Sequence, residues 1–196
     1  MSGYEIFYLL DAEDRFLDWG GPAWEGAARD GRATRLATAN LTGDRIYDHV
    51  AGHFTQRFLR AFFAEARAAP GGLRRTYGCD APRAKRLMEM WAEPMGEGTL
   101  RVRHRLIDET PMAFEVTTRE TGDVMGVGHL RCSMCNRLRR RGSREWLEPD
   151  ALPPAAGPIA VFHTICTDCR RGVAARLPIP AKSAGLTPPA APPSSN

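Results

Sequence analysis

The sequence predicts an α+β protein: an antiparallel sheet with flanking helices, then a small cysteine-stapled C-terminal module and a disordered tail. Three observations predict it. Two strand-like runs near the N-terminus and three more after residue 72 bracket a helical stretch. Four of the five cysteines fall into two Cys-x2-Cys pairs within one basic segment. From about Leu177 onward Pro, Ala and Ser dominate, a composition that cannot bury a core and is expected to be disordered.

Tyr4–Leu10 is a short aromatic and β-branched run and reads as a strand. Asp11–Asp14 is the turn after it, and Arg15–Trp19 a second short strand closed by Gly20-Gly21-Pro22. Trp24–Ala39 is rich in Ala and Arg and reads as one or two helices broken near Gly31; Ile46–Gly52 reads as a short helix or turn. The clearest helix is Phe54–Ala68. Phe54, Phe58, Leu59, Phe62, Phe63 and Ala66 form one apolar stripe at the helical period, and Pro70-Gly71-Gly72 ends it. Phe58 and Phe62 are therefore expected to face the sheet.

Leu73–Cys79, Arg86–Glu93 and Thr99–Ile107 are the next strands. In the last, Leu100, Val102, His104 and Leu106 point one way while Arg101, Arg103 and Arg105 point the other. Pro94–Gly98 is the hairpin loop between the second and third. Beyond them the pattern weakens: Phe114–Thr118 reads as a strand and Gly122–Gly128 as a loop. Trp19, Trp24 and Trp91 are expected to pack the sheet and its helices.

The chain has 196 residues, one ordinary domain plus an appendage, with 43% hydrophobic and 26% charged residues. No run approaches the ~20 apolar residues of a membrane helix. The N-terminus has neither a basic n-region nor a long apolar stretch, so no signal peptide and a cytoplasmic location are expected. Charge is uneven: residues 1–130 hold 17 basic against 19 acidic residues, while residues 131–176 hold 9 against 4. The basic excess thus belongs to the cysteine segment.

Cys132-Ser-Met-Cys135 and Cys166-Thr-Asp-Cys169 are separated by 30 residues. A Cys-x2-Cys turn puts two thiolates on one side of a tight loop, and two such loops supply the four soft ligands of a tetrahedral Zn²⁺. In a reducing compartment paired cysteines are more often metal ligands than disulfides. An iron–sulfur cluster uses the same four thiolates, and a redox dithiol the same spacing. His163 stands three residues before Cys166 and is a further candidate ligand, or a hydrogen-bond partner of the site. Arg137, Arg139, Arg140, Arg141 and Arg144 follow the first pair directly. They are candidates for a partner-binding patch, with nucleic acid as one partner class and plain solvated surface as the bland reading. Cys79 stands alone on a strand and is expected to be a small buried apolar residue.

These residues resemble a family. The strand–strand–helices–strand–strand–strand order is similar to that of a PAS-like sensor domain. Thr76-Tyr77-Gly78-Cys79-Asp80-Ala81-Pro82 looks like the "RCDSP" stretch of a group of small bacterial PAS-like proteins, and Arg86–Met90, Pro94 and His104-Arg105-Leu106 continue the pattern. Cys132–Arg137, Trp146-Leu147-Glu148 and His163–Cys169 resemble the "CSxCKR … W-x-x-(L)E … HGICPxC" segment also found in PAS-containing sensor kinases. Asn136, Thr164 and Thr167 depart from it, and none removes a thiol. The resemblance implies a PAS-like sensory domain over 1–110, a linker over 111–128, a cysteine-rich zinc module over 129–173 and a disordered tail over 174–196. It implies signalling through a protein partner, compatible with a homodimer, with an unknown ligand. No phosphate-binding Gly loop, nucleophile elbow or His-Glu-x-x-His pair is present, and no kinase catalytic domain fits after residue 130, so a non-enzymatic adaptor is expected. The alternatives are a zinc-dependent DNA-binding regulator and a thiol redox sensor.

Overall fold

The computed structural model of the chain describes residues 5–26, 39–122 and 126–171. β1 (Glu5–Leu10) and β2 (Phe16–Gly20) form an antiparallel hairpin. Its turn is tied by Asp11, whose Oδ1 accepts the Glu13 and Arg15 N–H groups at 2.9 and 2.8 Å. A 3₁₀ turn, Ile46–His49, precedes helix α1 (His53–Ala68). Then follow β3 (Leu73–Gly78), β4 (Ala84–Gly96) and β5 (Thr99–Pro111). These strands make a five-stranded antiparallel sheet in the order β2-β1-β5-β4-β3. Strands β4 and β5 outrun their expected limits, at 13 residues each. Glu97 and Gly98 join them with φ of 50° and 78°, the left-handed pair that a two-residue hairpin turn requires.

The expected alternation is what builds the core. Leu100 and Val102 are fully buried and His104 nearly so, with Met90 and Ala92 beside them on β4. Against this face α1 lays Phe62, Phe63 and Ala66, all buried. Phe58 is half-buried and packs at the edge of this core, while Phe54, at the start of the stripe, is exposed. His104 is the polar residue in this layer. Its Nδ1 lies 2.8 Å from the Tyr77 hydroxyl and its Nε2 3.1 Å from the Tyr8 hydroxyl. Burial drives its pKa down to about 4, so the ring is neutral, one nitrogen donating and the other accepting.

Trp91 departs from expectation. It points to the opposite face of β4 from Met90 and Ala92, where the guanidinium carbons of Arg74 and Arg103 lie 3.9 and 4.1 Å from its ring centre. One residue of strand phase decides this: the imperfect alternation of Arg86–Glu93 hides which face Trp91 takes. Trp19 and Trp24 do pack against the core.

A second sheet has four short strands in the order β6-β9-β7-β8. These are β6 (Thr118–Glu120), β7 (His129–Cys132), β8 (Leu138–Arg140) and β9 (Ile159–Thr164). β9 runs parallel to both β6 and β7, while β7 and β8 form an antiparallel hairpin. A single helical turn, α2 (Thr167–Arg170), closes the described part. Residues 111–128, expected as a linker, therefore include a strand of the second sheet. Within the expected strand Phe114–Thr118 only Thr118 is in one. The tail expected over 174–196 and most of the helical stretch expected before Ala39 lie outside the described residues. No helix among the described residues is long and apolar enough to cross a membrane.

Candidate metal centre

Two loops bring the four thiols together. β7 ends at Cys132, and the chain turns through Ser133–Asn136 into β8. Cys132 N–H donates to the Arg137 carbonyl and Asn136 N–H to the Cys132 carbonyl, both at 2.9 Å. Asn136 closes the turn with φ of 60°, a conformation that Asn tolerates better than any other residue except Gly. β9 delivers the second pair. Its end is pinned where Ser133 N–H donates to the Thr164 carbonyl at 2.8 Å. Cys166 then caps α2, its Sγ accepting the Cys169 N–H at 3.4 Å.

Cys132, Cys135, Cys166 and Cys169 are all buried, and their Sγ atoms all lie within 4.8 Å of one another. Cys135 and Cys166 Sγ are 3.9 Å apart. Thiolates about 2.3 Å from a tetrahedral ion sit about 3.8 Å from each other, so the cluster has the dimensions of a four-thiolate metal site. Backbone support is present as well: Cys166 N–H donates to Cys132 Sγ at 3.4 Å. Crowding sets the protonation. Cys132 is held below the ordinary thiol range by hydrogen bonds from Cys135 and Cys169. Cys135 is pushed up to about 12, chiefly by its bond to Cys132, and Cys169 is pushed up for the same reason. A bound cation supplies the positive charge that lets all four ionise together.

His163 stands outside the cluster. Its Nδ1 meets Ser133 Oγ at 3.2 Å, and Ser133 Oγ in turn accepts from Thr55 Oγ1 at 2.5 Å. Burial and the nearby Arg131 hold its pKa down at about 4. Its role is thus in the contact between β9 and α1. That contact is close: Gly52, the residue before α1, has φ of 83°, and a Cβ there would fall 2.7 Å from the His163 Cβ.

The centre is packed onto the first sheet. Phe58 and Tyr77 cover the cysteines as well as the main core. Gly78 N–H donates to the Met134 carbonyl at 2.5 Å, and the Arg75 guanidinium donates to the Cys169 carbonyl. Lys85 Nζ pairs with Asp150 at 3.1 Å. Phe54 meets Phe162 of β9, ring centres 6.4 Å apart. The apolar stripe of α1 thus serves two layers, which its period could not reveal.

The arginine run is divided, a correction to the single exposed patch the sequence suggests. Arg137 Nε pairs with Glu148 at 3.1 Å, and its Nη1 lies 3.9 Å from Asp168. Arg139 is half-buried with its guanidinium 5.2 Å from the Trp146 ring centre. Arg140, Arg141 and Arg144 are exposed. The two inward residues hold the long Cys135–Cys166 connection to β8, where Leu138 and Leu147 also bridge. Asn136 was the residue sequence reasoning undervalued: an Asn directly after a Cys-x2-Cys pair is the signal of a left-handed turn.

Comparison of the chain with family models, with curated proteins and with solved structures finds no match.

Proposed function

We propose that this chain is a non-enzymatic sensory or regulatory protein, a cytoplasmic signalling adaptor of bacterial type, whose PAS-like domain carries a zinc-stapled docking module. The observation that carries it is the buried four-thiol cluster wedged against α1 and β3 of the five-stranded sheet. Four thiols complete a tetrahedral shell and leave no position for substrate, the mark of a structural rather than a catalytic zinc. Their spacing suits one ion; an iron–sulfur cluster places several atoms between its thiolates and needs a wider cage. The PAS-like reading draws support from the two strands, the helix and then three strands of one antiparallel sheet. Arg140, Arg141 and Arg144 project from the turn after β8, where they suit carboxylates of a protein partner.

Two measurements test this. Elemental analysis of the protein purified without chelator should give about one zinc per chain; iron, or no metal, would overturn the zinc reading. Changing Arg140, Arg141 and Arg144 together to Glu should abolish capture of a protein partner from host lysate and leave the zinc content unchanged. Three exposed arginines predict only weak, salt-sensitive association with duplex DNA. Sequence-selective DNA binding lost in the same triple variant would instead establish the DNA-regulator reading.

A further inference from the structure

A groove of about 380 Å³ runs between α1 and the second cysteine loop. Phe54, Arg57 and Phe58 of α1 make one wall, and Ile165 and Arg170 make the other. Phe58 and Ile165 also pack on the thiol cluster, but Phe54 and the two arginines have no part in that centre. Phe54 is 37% exposed, yet its ring is held in place. It stands edge-on to Phe162 and to His53, with centres 6.4 and 6.2 Å away. Phe58 is stacked on Phe62, with ring centres 6.1 Å apart. The floor is thus an aromatic surface ordered before anything binds, which lowers the entropic cost of binding.

The charge of this lining has one sign. Among the described residues neither the Arg57 nor the Arg170 guanidinium has a hydrogen bond or ion pair. Their neighbours do: Arg75 donates to the Cys169 carbonyl, and Arg67, further along α1, pairs with Asp14 at 2.7 Å. No acid lines the groove. Asp168 of α2 is turned to Arg137 at 3.9 Å, and Glu65, the acid of α1, lies eight residues beyond Arg57. Exposed aromatic rings between unpaired guanidinium groups have the composition of an interface core rather than of ordinary surface.

We infer that this groove docks a short segment of a partner protein in which an aromatic residue is flanked by carboxylates. The aromatic ring fills the space between Phe54, Phe58 and Ile165. The carboxylates meet one guanidinium on each wall, whose forked donors accept a bidentate partner. A second copy of the chain suits the groove poorly, because a symmetric contact doubles the arginines in one patch. The chain's own continuation suits it no better: residues 172–196 hold Arg176 and Lys182 and no acidic residue. That the segment belongs to a signalling partner rests on the adaptor reading; the groove as a docking site does not.

The test is fluorescence anisotropy of the full-length protein with a fluorescein-labelled peptide, Gly-Glu-Asp-Phe-Asp-Glu. Two control peptides carry the same label: Gly-Gln-Asn-Phe-Asn-Gln lacks the charges, and Gly-Glu-Asp-Gly-Asp-Glu lacks the ring. The first peptide should half-saturate at roughly 100 μM or below, within reach of one anchor and two ion pairs. Each control should bind about ten-fold more weakly. Arg57→Gln and Arg170→Gln should each weaken the first peptide about three-fold, and the two together about ten-fold. Phe54→Ala should weaken it about five-fold. All three side chains are exposed, so the melting temperature should hold; the three peptides on the wild-type protein decide the matter if a variant fails to fold. Equal binding of the acidic and amide peptides, or unchanged affinity in the double variant, would overturn the inference. So would displacement of the probe by a peptide of residues 172–196, which would assign the groove to the chain itself. A single-stranded oligothymidylate that binds as tightly as the acidic peptide and is lost in the double variant would overturn it in favour of nucleic acid. Zinc content and the Arg140, Arg141 and Arg144 capture test report on the adaptor reading separately, since none of those arginines lines the groove.

Discussion

The two sheets are held together in different ways. In the five-stranded sheet neighbours pair antiparallel, and Leu10, Leu100 and Val102 of its inner face are completely buried together with Phe63 of α1. Its stability comes from apolar area removed from water. The second sheet has strands of three to six residues, two of its pairings are parallel, and four of its buried side chains are thiols. So small a layer gains little from burial alone, and a metal held by the four thiols would supply what its core cannot. The difference teaches that one chain can combine a sheet built on an apolar core with a sheet built around four thiols that could hold a metal ion.

The sharpest way to break the comparison is to remove the ligands. Structural zinc contributes on the order of 10–16 kcal/mol to the units it folds. Cys132→Ser, or stripping with a chelator, should therefore release amide protection across residues 129–171 while β1, β4 and β5 keep theirs. Hydrogen exchange read by mass spectrometry checks this; uniform loss in both sheets would show that the two are one cooperative unit.

The reverse experiment attacks packing. Phe62 is buried between α1 and the sheet, so Phe62→Ala should cost about 3–5 kcal/mol, measured by urea denaturation of the metal-loaded protein. A loss under ~1 kcal/mol would place Phe62 on an effectively exposed surface.

Acid sharpens the contrast next. His104 titrates near 4 in the folded sheet, against about 6.5 unfolded. The unfolded state binds the extra proton, so stability is complete above about pH 6.5 and falls as pH drops towards 4. The loss between pH 7 and 5 should be about 2 kcal/mol. His104→Gln should flatten that slope in the first sheet, read by urea unfolding at each pH. A slope unchanged by His104→Gln would assign the dependence elsewhere.

The smallest effect concerns one turn of the second sheet. Asn136→Ala forces a β-carbon into left-handed backbone without the compensation Asn finds there, at a cost of about 1 kcal/mol, while Asn136→Gly should be neutral. Metal-competition titration resolves the pair, and equal affinities in both variants would remove the turn from the account.

How much of this was legible follows from the same contrast. The first sheet could be read because its strands alternate and its pairing partners are sequence neighbours. Leu100, Val102 and His104 fell on the inner face, and Phe62 and Phe63 against it. The thiol quartet could be read because ligand spacing is a stricter pattern than hydropathy. Three-residue strands carry no period, so β6 passed for linker. The parallel pairing of β6 and β7 with β9 is non-local, and nothing within either segment announces it. Ion pairing was equally hidden: Arg137 and Arg140 look alike in sequence, and only the placement of Glu148 and Asp168 separates them.

The two-residue turn at Glu97-Gly98 has a kinetic consequence. It joins the two longest strands with almost no loop to close, so their hairpin can zip within microseconds. Cys135 and Cys166 must instead meet across 30 intervening residues, and loop-closure entropy grows with that span. The hairpin is therefore the natural nucleus, and closure of the thiol quartet a late event. Between the two lies an interval in which Cys132 and Cys135 sit in a local turn without their distant partners. During that interval the thiols would be open to oxidants and to stray metals, and for a metal-binding quartet the speed of ion delivery would decide how much of the chain reaches full ligation.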